Sequence, residues 1–391
     1  MKRLAIIGAG EFQVPLVKRC KERGIETHVF AWEEGAVAKE FASKFYPISI
    51  LDKDGILEIC TKLKINGVCS IASELAMLTV NTIASKMNLV ASSIESANLT
   101  LNKRSMKDVF IQNKIPCAIG GEFSNYETAF EYCSKMLKTS ELIIKPSDRS
   151  GSLAVNHLKD LHNFEDAFNF AYESSFSKTV IVEEFIEGDE YSAETVSYNG
   201  AHVIVAFTQK ITTGSPYFVE TGHFQPVAFS ASLVANISEI LKKALDTLKI
   251  TQGISHCEFK IFNNLMTIIE IGGRMGGDFI GSHITPLSTG ISMVDIAIDI
   301  SLNEFSIASL QRKFNKNIGV MFLTSTVDGK LERCESNTIE SVKILQANID
   351  KKIGDKIQNA TSSCKRFGHI IFEGNVPSMS QVFKHFGVIV S

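Results

Sequence analysis

The chain has 391 residues, of which 45% are hydrophobic and 21% charged, and its formal net charge is −3. This length and composition are typical of a globular protein with several domains. The near-neutral charge, and the lack of any apolar run near the roughly 18 residues of a membrane span, argue against a nucleic-acid or membrane partner. The eight cysteines include no C-x-x-C pair, which indicates reduced thiols and a cytoplasmic protein.

The first hundred residues alternate short apolar runs with helical patterns. Strands are predicted at "RLAIIGAG", "ETHVFAW" and "GVCSIAS", and helices at "VPLVKRCKERG", "DGILEICTKLKIN" and "LAMLTVNTIASKMN". Apolar strands separated by helices are typical of parallel βαβ units. Residues 1–100 are therefore predicted to form a small doubly wound α/β domain.

Residues 101–303 mix strands and helices in a pattern that is typical of an α+β domain. A helix is predicted from about 102 to 113, and another at "SASLVANISEILKKALDTLKI". The segment "ELIIKPSDRSGSLAV" predicts strand, polar loop and strand, and Asn199-Gly200 predicts a hairpin. Residues 304–391 return to short strands, including "SVKILQANI" and "FGHIIFEGN", which predicts a small β-rich C-terminal domain.

The stretch "LAIIGAGEFQ" places Gly8 and Gly10 directly after the first strand. A dinucleotide-binding fingerprint needs a third glycine where the chain has Gln13, although Glu33 or Glu34 would supply the acidic residue about 20 positions further on. Two glycines at a βα turn also occur simply because the turn is tight. A dinucleotide-dependent oxidoreductase is therefore an alternative, but no later segment provides a hydride-transfer site.

Two glutamates in "ISHCEFKIFNNLMTIIEIGGRMGG" carry the strongest chemical signal. A hairpin at Asn263-Asn264 brings Glu258 and Glu270 near each other on neighbouring strands. Two such carboxylates repel each other unless a cation lies between them, and hard cations such as Mg²⁺ take oxygen ligands. Arg274 follows in a glycine-rich turn, where its guanidinium matches a carboxylate or phosphate. A structural Glu270–Arg274 salt bridge is the alternative, but it does not account for Glu258.

Cys257 lies between His256 and Glu258, an arrangement that suggests an activated thiolate. A free cysteine also behaves as a small apolar residue. Because Cys257 lies inside an apolar strand, the second interpretation is favoured.

A further acidic group lies upstream, in "TVIVEEFIEGDEYSAE". Glu183 and Glu184 close an apolar strand, and Glu190 follows after a turn. A strand edge followed by a turn offers backbone groups to a flat base, with Glu183 accepting from an exocyclic amine and Glu190 from ribose hydroxyls. Lys145 ends another apolar strand and Lys103 begins a helix, but single lysines are often surface residues.

Taken together, these segments resemble the ATP-grasp superfamily of carboxylate–amine or carboxylate–thiol ligases. The matching segments are, in order, "NKRSMKDVFIQNKIP", "LIIKPSDRSGSLAV", "EEFIEGDEYS", "FTQK", "HCEFK" and "EIGGRMGGD". The layout is similar to the branch that contains biotin carboxylase, carbamoyl phosphate synthetase and L-amino-acid ligases. The resemblance implies a pre-ATP-grasp domain at 1–100 and an ATP-grasp domain of two α+β subdomains at 101–303. Its nucleotide cleft would lie near 140–190 and its metal strands at 254–277.

The resemblance also implies roles for individual residues. The ATP site would consist of Lys103, Lys145, Ser150, Gly151, Ser152, Glu183, Glu184, Phe185, Ile186 and Glu190. In that set the lysines hold phosphates, the serine–glycine loop closes over them, the strand end binds adenine and the last glutamate binds ribose. Lys210 would approach the γ-phosphate, and Arg274 would stabilise the acyl phosphate and the tetrahedral state. Glu258 and Glu270 would bind Mg²⁺ (or Mn²⁺).

The sequence departs from the family pattern in two places. The family has an asparagine metal ligand two residues after the second glutamate, where this chain has Gly272. The phosphate loop contains Gly151 as its one glycine. A nucleotide-binding protein that has lost catalysis is the alternative that the first departure raises.

The substrate side is predicted from "TTGSPYFVETGHFQP", which follows Lys210. Glu220 would hold an amino group, and His223 would act as a base or a hydrogen-bond donor, with an ordinary loop histidine as the alternative. The substrate pocket would also be lined by Gly276, Gly277, Gly8, Gly10 and Glu11.

The resemblance implies an ATP-dependent carbon–nitrogen ligase. It would activate a small carboxylate as an acyl phosphate and join it to an amine, with release of ADP and phosphate. A carbamoyl-phosphate-synthetase-like enzyme that uses bicarbonate is a further alternative. The expected partners are the small-molecule carboxylate and amine, and the family is often dimeric, which makes a homodimer one expectation.

Overall fold

The computed structural model describes residues 1–333, 342–377, 381–382 and 389–390. The N-terminal elements are β1 (Arg3–Ile7), α1 (Val14–Glu22), β2 (Glu26–Phe30), β3 (Lys44–Tyr46), α2 (Lys53–Leu63), β4 (Gly67–Cys69) and α3 (Glu74–Met87). The strands form a parallel sheet in the order β3-β2-β1-β4. The predicted doubly wound α/β fold is confirmed, and the short, partly exposed strand β3 is the element that apolar patterning did not predict.

A buried side chain closes the turn after β1. Gln13 Nε2 donates to Ser70 Oγ at 2.5 Å and to the Ile7 carbonyl at 3.3 Å, and the Ile71 amide donates to Gln13 Oε1 at 3.2 Å. A Cβ at Gly8, where φ is +99°, would lie 3.2 Å from Gln13 Nε2. The position of the third fingerprint glycine is thus filled by a side chain that links β1 to the end of β4. The turn therefore lacks the third glycine of the fingerprint in structure as in sequence, and it gives the oxidoreductase alternative no support.

A second, smaller sheet follows two connecting helices. The elements are α4 (Ile94–Leu101), α5 (Lys103–Gln112), β5 (Gly120–Phe123), α6 (Tyr126–Met136), β6 (Leu142–Pro146), β7 (Asn156–Leu158), α7 (Phe164–Ser174) and β8 (Val180–Glu184). The strands pair antiparallel in the order β5-β8-β6-β7. Asn102 caps α5 by accepting from the Ser105 amide at 2.8 Å, which places Lys103 at the first helical position.

The third part is built on a large antiparallel sheet. Its strands and helices are β9 (Asp189–Tyr198), β10 (Ala201–Thr212), β11 (Glu220–Gln225), α8 (Ala231–Thr247), β12 (Gly253–Phe262), β13 (Leu265–Gly272), α9 (Thr285–Thr289), α10 (Met293–Ser301), β14 (Ile318–Phe322), β15 (Gly329–Arg333), β16 (Val342–Ile349), β17 (Lys356–Ile357), β18 (Gly368–Gly374) and β19 (Ile389–Val390). Eight strands form one sheet in the order β13-β12-β9-β10-β11-β14-β18-β16, and β17-β15-β19 form a smaller one.

Two predicted hairpins shape the large sheet. Asn199 and Gly200 have φ of +52° and +76°, and Asn263 and Asn264 have φ of +49° and +63°. Positive φ at both central residues is typical of the two-residue turns that match the twist of antiparallel strands. These turns join β9 to β10 and β12 to β13, so both predicted hairpins are confirmed, and a β-bulge shifts each register by one residue further along the strands.

The large sheet and α10 both cross the predicted domain limits. Strand β14 pairs with β11, so the strands after residue 304 extend the sheet that begins before it. Helix α10 packs on the N-terminal domain, where Arg19 Nε lies 2.8 Å from Asp295 Oδ1 and Arg23 Nη2 lies 2.5 Å from Asp299 Oδ1. The domain limits remain predictions, and residues 334–341, 378–380, 383–388 and 391 of the predicted C-terminal domain lie outside the described residues.

No helix within the described ranges combines the length and the apolar content that crossing a bilayer requires.

Candidate active site

A cavity of about 610 Å³ lies between the small antiparallel sheet and the large one. Most of the predicted site residues line it, although they are spread over the sequence from residue 103 to residue 277. They are Lys103, Lys145, Ser150, Gly151, Ser152, Glu183, Glu184, Phe185, Ile186, Glu190, Lys210, Glu220, His223, Glu258, Glu270, Arg274 and Gly277. Among the described residues that line this cavity, Gly8, Gly10, Glu11 and Gly276 are absent, whereas Phe12 is present.

The hairpin predicts that Glu258 and Glu270 lie near each other, and they are opposite each other in the β12–β13 register because a β-bulge between Phe259 and Glu258 shifts the pairing by one residue. The structure corrects the argument that this pair needs a metal for charge balance. Glu258 Oε2 lies 2.9 Å from Lys210 Nζ, and Glu270 Oε2 lies 3.4 Å from Lys103 Nζ. The carboxylate oxygens still suit Mg²⁺ or Mn²⁺ as ligands, because hard cations bind such oxygens. Their metal-binding role remains a prediction.

Lys210 is the centre of a buried ionic cluster. Its Nζ lies 2.9 Å from Glu190 Oε1, 2.8 Å from Glu220 Oε1 and 2.9 Å from Glu258 Oε2. Burial acts to lower the pKa of the Lys210 ammonium, but the three carboxylates outweigh burial and raise it well above its usual value. Strand order explains the cluster, because β9, β10 and β11 are neighbours and β12 lies beside β9. Lys210, the predicted γ-phosphate ligand, and Glu190, the predicted ribose ligand, thus form an ion pair with each other in this structure.

Glu183 is buried against two lysines of the small-sheet side. Its Oε1 lies 2.5 Å from Lys145 Nζ, and its Oε2 lies 3.4 Å from Lys107 Nζ. Burial acts to raise the pKa of the Glu183 carboxyl, but the two ammonium groups outweigh it and lower the pKa to about 2. The structure therefore gives this carboxylate partners other than the predicted adenine amine. Lys107, on α5, was missed because nothing in the sequence links it to β8.

Glu183→Gln is expected to cost about 3–5 kcal/mol of unfolding free energy near neutral pH, because it leaves Lys107 and Lys145 without their buried counterion. The folded pKa of Glu183 lies near 2, below the usual value of about 4.3, so its stabilisation is present above pH 4.3. The stabilisation is lost as the pH falls towards 2.

The difference between wild type and Glu183→Gln should therefore shrink as the pH falls below about 4.3. Denaturant unfolding at a series of pH values measures it. Glu184→Gln, at the neighbouring half-buried position, is the matched control. A loss of stability at neutral pH no larger than that of the control would contradict this ionic pairing.

Arg274 pairs with a residue of the N-terminal domain. Its Nε lies 2.8 Å from Glu74 Oε1, and its Nη1 donates to the Met275 carbonyl at 2.7 Å. The alternative Glu270–Arg274 salt bridge is thus replaced by a bridge to α3. Burial raises the pKa of the Glu74 carboxyl, although Arg274 opposes the shift. A Cβ at Gly272 would clash with Glu74 Oε1, so a larger residue here would have to displace the carboxylate that pairs with Arg274.

Glu194 and His256 form a second buried ionic group beside Glu258. Glu194 is fully buried, pairs with His256 Nδ1 and accepts from the Gly276 amide at 2.9 Å. His256 Nε2 lies 3.0 Å from Glu258 Oε1. Burial acts to lower the pKa of the His256 imidazole, and the two carboxylates outweigh it and raise the pKa to about 9. Neighbouring Cys257 packs in the apolar core, where burial raises the pKa of its thiol, as the interpretation of a small buried residue predicts.

The cavity also contains Glu220, His223, Asp278 and Arg366, and Glu220 links this group to the Lys210 cluster. Arg366 binds Asp278 through two hydrogen bonds, Nη1 to Oδ2 at 2.6 Å and Nη2 to Oδ1 at 2.7 Å. His223 is buried, and its ring nitrogens have no hydrogen-bond partner within the described part of the chain. Glu220, His223 and Asp278 each place one oxygen or nitrogen within 4.8 Å of the others. Arg366 was missed because the C-terminal segment carries no readable motif.

A cluster of aromatic rings lies beside the end of β8. The rings of Phe185 and His157 stack with centroids 4.1 Å apart, and Phe218 lies 5.7 Å from Phe185. Lys260 Nζ lies 4.7 Å from the centroid of Phe185 and donates to the Ile186 carbonyl at 3.0 Å. Phe185 and Phe218 also line the cavity, and stacking on aromatic rings is a common way to bind a flat heterocycle.

The predicted phosphate loop is held by the C-terminal segment and by a neighbouring loop. The Ser363 amide donates to the Gly151 carbonyl at 3.0 Å, and Ser152 Oγ donates to the Phe218 carbonyl at 3.0 Å. Lys103 Nζ donates to the Arg149 carbonyl at 2.8 Å. The loop is therefore anchored at three points, all on residues that line the cavity.

Comparison with known proteins identifies a known domain within the chain. Residues 139–282 match the ATP-grasp domain. The chain is 22% identical over 312 residues to the carbamoyl phosphate synthase large chain of Caldanaerobacter subterraneus, covering 76% of this chain and 28% of that protein. It is 24% identical over 224 residues to the D-alanine–D-alanine ligase of Flavobacterium johnsoniae, covering 52% of this chain and 65% of that one. The chain thus spans less than two thirds of either relative.

A solved structure agrees over the whole chain. The L-amino acid ligase from Bacillus licheniformis superposes with a TM-score of 0.79 at 20% identity, covering 100% of this chain and 99% of that one. At this identity the likeness shows the fold alone. Residues 139–282 are thus an ATP-grasp domain, as the resemblance predicts.

Proposed function

We propose that this chain is an ATP-dependent carbon–nitrogen ligase that activates a small carboxylate as an acyl phosphate for attack by an amine. The observation that carries the proposal is the placement of Glu258 and Glu270 opposite each other on one wall of a cavity that also contains Lys103, Lys145 and Arg274. A carboxylate pair that faces basic side chains suits a metal-bound triphosphate. The carboxylates bind the metal ion, and the basic side chains stabilise the negative charge of the phosphates. The relatives, which include ligases and a synthase, support this class.

The residues of the cavity fit Mg²⁺ and ATP. Glu258 and Glu270 would hold Mg²⁺, which neutralises phosphate charge when bound. Lys103 and Lys145 would bind phosphate oxygens, and the base would stack against the rings of Phe185 and Phe218. Both lysines have carboxylate partners in this structure, Glu270 for Lys103 and Glu183 for Lys145. Bound nucleotide would therefore replace Glu270 as the partner of Lys103, whereas Lys145 would contact both Glu183 and a phosphate oxygen.

The chemistry has two balanced steps. An oxygen of the substrate carboxylate attacks the γ-phosphorus, the bond to the β–γ bridging oxygen breaks, and ADP leaves. The amine nitrogen then attacks the acyl carbon, the bond to the phosphate oxygen breaks, and phosphate leaves while the nitrogen gives up a proton. Arg274 would stabilise the charge on the acyl oxygens in both steps, and His223 would accept the proton. Exclusion of water by the loop at Ser150–Ser152 would protect the acyl phosphate.

The substrate class is inferred from three charged residues of the cavity, Glu220, Asp278 and Arg366. Glu220 and Asp278 are suited to an ammonium group, and Arg366 is suited to a carboxylate. Opposite charges on one small molecule are characteristic of an amino acid. We therefore propose an amino acid as one of the two substrates, with the identity of its side chain left to experiment.

Formation of ADP from Mg-ATP, scanned over single and paired amino acids and small carboxylic acids, tests the proposal. Glu270→Gln is expected to lower the rate about 10²–10³-fold, because a lost metal ligand removes several kcal/mol of transition-state stabilisation. Chelation of divalent cations should abolish turnover of the wild type. Glu187→Gln, at an exposed position outside the cavity, is the control and should retain full activity.

Each outcome has a defined meaning. ADP formation that needs a particular pair and fails in Glu270→Gln supports the ligase. Nucleotide binding by calorimetry without turnover for any pair favours a binding protein that has lost catalysis. No nucleotide binding at all would overturn the proposal.

A further inference from the structure

A chain of three charged side chains connects the predicted metal site to the loop that carries Arg274. Glu258 Oε1 contacts His256 Nε2 at 3.0 Å, and His256 Nδ1 contacts Glu194 Oε1. Glu194 Oε2 in turn accepts from the Gly276 amide at 2.9 Å. We propose that Glu194 and His256 are positioning residues, which fix the orientation of the Glu258 carboxylate for a divalent cation and tie it to the Arg274 loop. This inference rests on the proposed function.

The position of these groups does not fit a purely structural role. Glu194 is 0% exposed and His256 is 4% exposed, so both charges are held away from water. A buried charged pair is usually no more stabilising than apolar residues of similar volume. Their neighbours on β12 and β9 that face the core, such as Cys257 and Ala193, are apolar. His256, by contrast, lines the same cavity as Glu258.

The geometry divides the two oxygens of Glu258 between different tasks. His256 contacts Oε1, and Oε2 faces Lys210 at 2.9 Å on the cavity side. A carboxylate held at one oxygen presents the other in a fixed direction. Partners that hold a ligand in this way typically change metal affinity 10–100-fold when they are removed.

The other end of the chain constrains the loop after β13. A Cβ at Gly276 would lie 2.7 Å from both Glu194 Oε1 and His256 Nδ1. Only a glycine therefore allows the loop backbone to approach the carboxylate closely enough to donate its amide. Because Arg274 lies two residues earlier, Glu194 sets the distance between the metal strand and this guanidinium. Gly276, predicted as a substrate residue, serves this contact and does not line the cavity.

The test compares how tightly the wild-type chain and its variants bind Mn²⁺ in the presence of ADP. Electron paramagnetic resonance measures the binding. In His256→Asn the side-chain amide nitrogen reaches Glu194 but not Glu258, and the dissociation constant of Mn²⁺ is expected to rise about 10–100-fold. In His256→Gln the longer amide reaches Glu258, and the affinity should be partly restored. Glu194→Gln should also weaken the binding of Mn²⁺, as His256→Asn does.

Cys257→Ala is the matched structural control, since the neighbouring side chain is equally buried but faces the core. It should lower the melting temperature and leave the Mn²⁺ affinity unchanged. An unchanged Mn²⁺ affinity in His256→Asn, or an equal loss in His256→Asn and Cys257→Ala, would overturn the inference. Affinity lost in His256→Asn alone supports it, even if no acid–amine pair gives ADP and the ligase proposal fails. Absence of Mn²⁺ binding by the wild type with ADP would overturn both.

Discussion

Arg274→Met is expected to lower the ligation rate about 10²–10³-fold, because it removes a donor that faces the developing charge on the acyl oxygens. The same change should cost about 1–3 kcal/mol of unfolding free energy, since Glu74 loses its partner at 2.8 Å in a poorly hydrated site. Loss of activity in this single variant therefore mixes two effects.

A double-mutant cycle separates these effects. In Arg274→Met with Glu74→Gln, no unpaired charge remains, so the unfolding free energy should return close to that of the wild type. The ligation rate should stay low, because the guanidinium is still missing. Glu74→Gln alone completes the cycle. Recovery of the rate in the double variant would show that Arg274 acts only by pairing with Glu74, which contradicts the catalytic role.

Lys210→Met is expected to lower both the stability and the turnover of the protein. It leaves the carboxylates of Glu190, Glu220 and Glu258 buried together without the ammonium that binds all three. Removing one partner of a buried ionic group typically costs about 3–5 kcal/mol. Turnover should fall at least about 10²-fold, because the same lysine is the predicted γ-phosphate ligand.

Divalent cations give this prediction a specific signature. Three carboxylates without a lysine form an oxygen-rich site, so added Mg²⁺ or Ca²⁺ should raise the melting temperature of Lys210→Met more than that of the wild type. Lys260→Met is the control, because its ammonium lines the same cavity but donates to a backbone carbonyl. An equal response to Mg²⁺ in both variants would argue against the carboxylate cluster.

The sequence predicts local pairs well at this site. The Asn263-Asn264 turn brings Glu258 and Glu270 near each other, and a β-bulge between Phe259 and Glu258 completes their direct pairing. The same logic predicts the Asn199-Gly200 hairpin. Both depend only on residues within a few positions of the turn.

Long-range partners could not be predicted in the same way. The contact of Arg274 with Glu74 joins two domains, and its only trace in the sequence is the glycine at position 272. The cluster around Lys210 depends on the order of four strands, which alternation of apolar residues does not encode. Arg366 reaches Asp278 from a segment without a recognisable motif.

The pairing of β11 with β14 has a consequence for how the chain can be divided. Gly222 to Gln225 pair with Ile318 to Met321 across residue 304. A fragment that stops at 303 would expose the hydrogen-bonding edge of β11, and unpaired edges promote strand addition between molecules and aggregation. It would also lack Arg366, whose guanidinium lines the cavity. The C-terminal strands are thus an inseparable part of the large sheet, and exchange of modules between relatives would have to keep this strand pair intact.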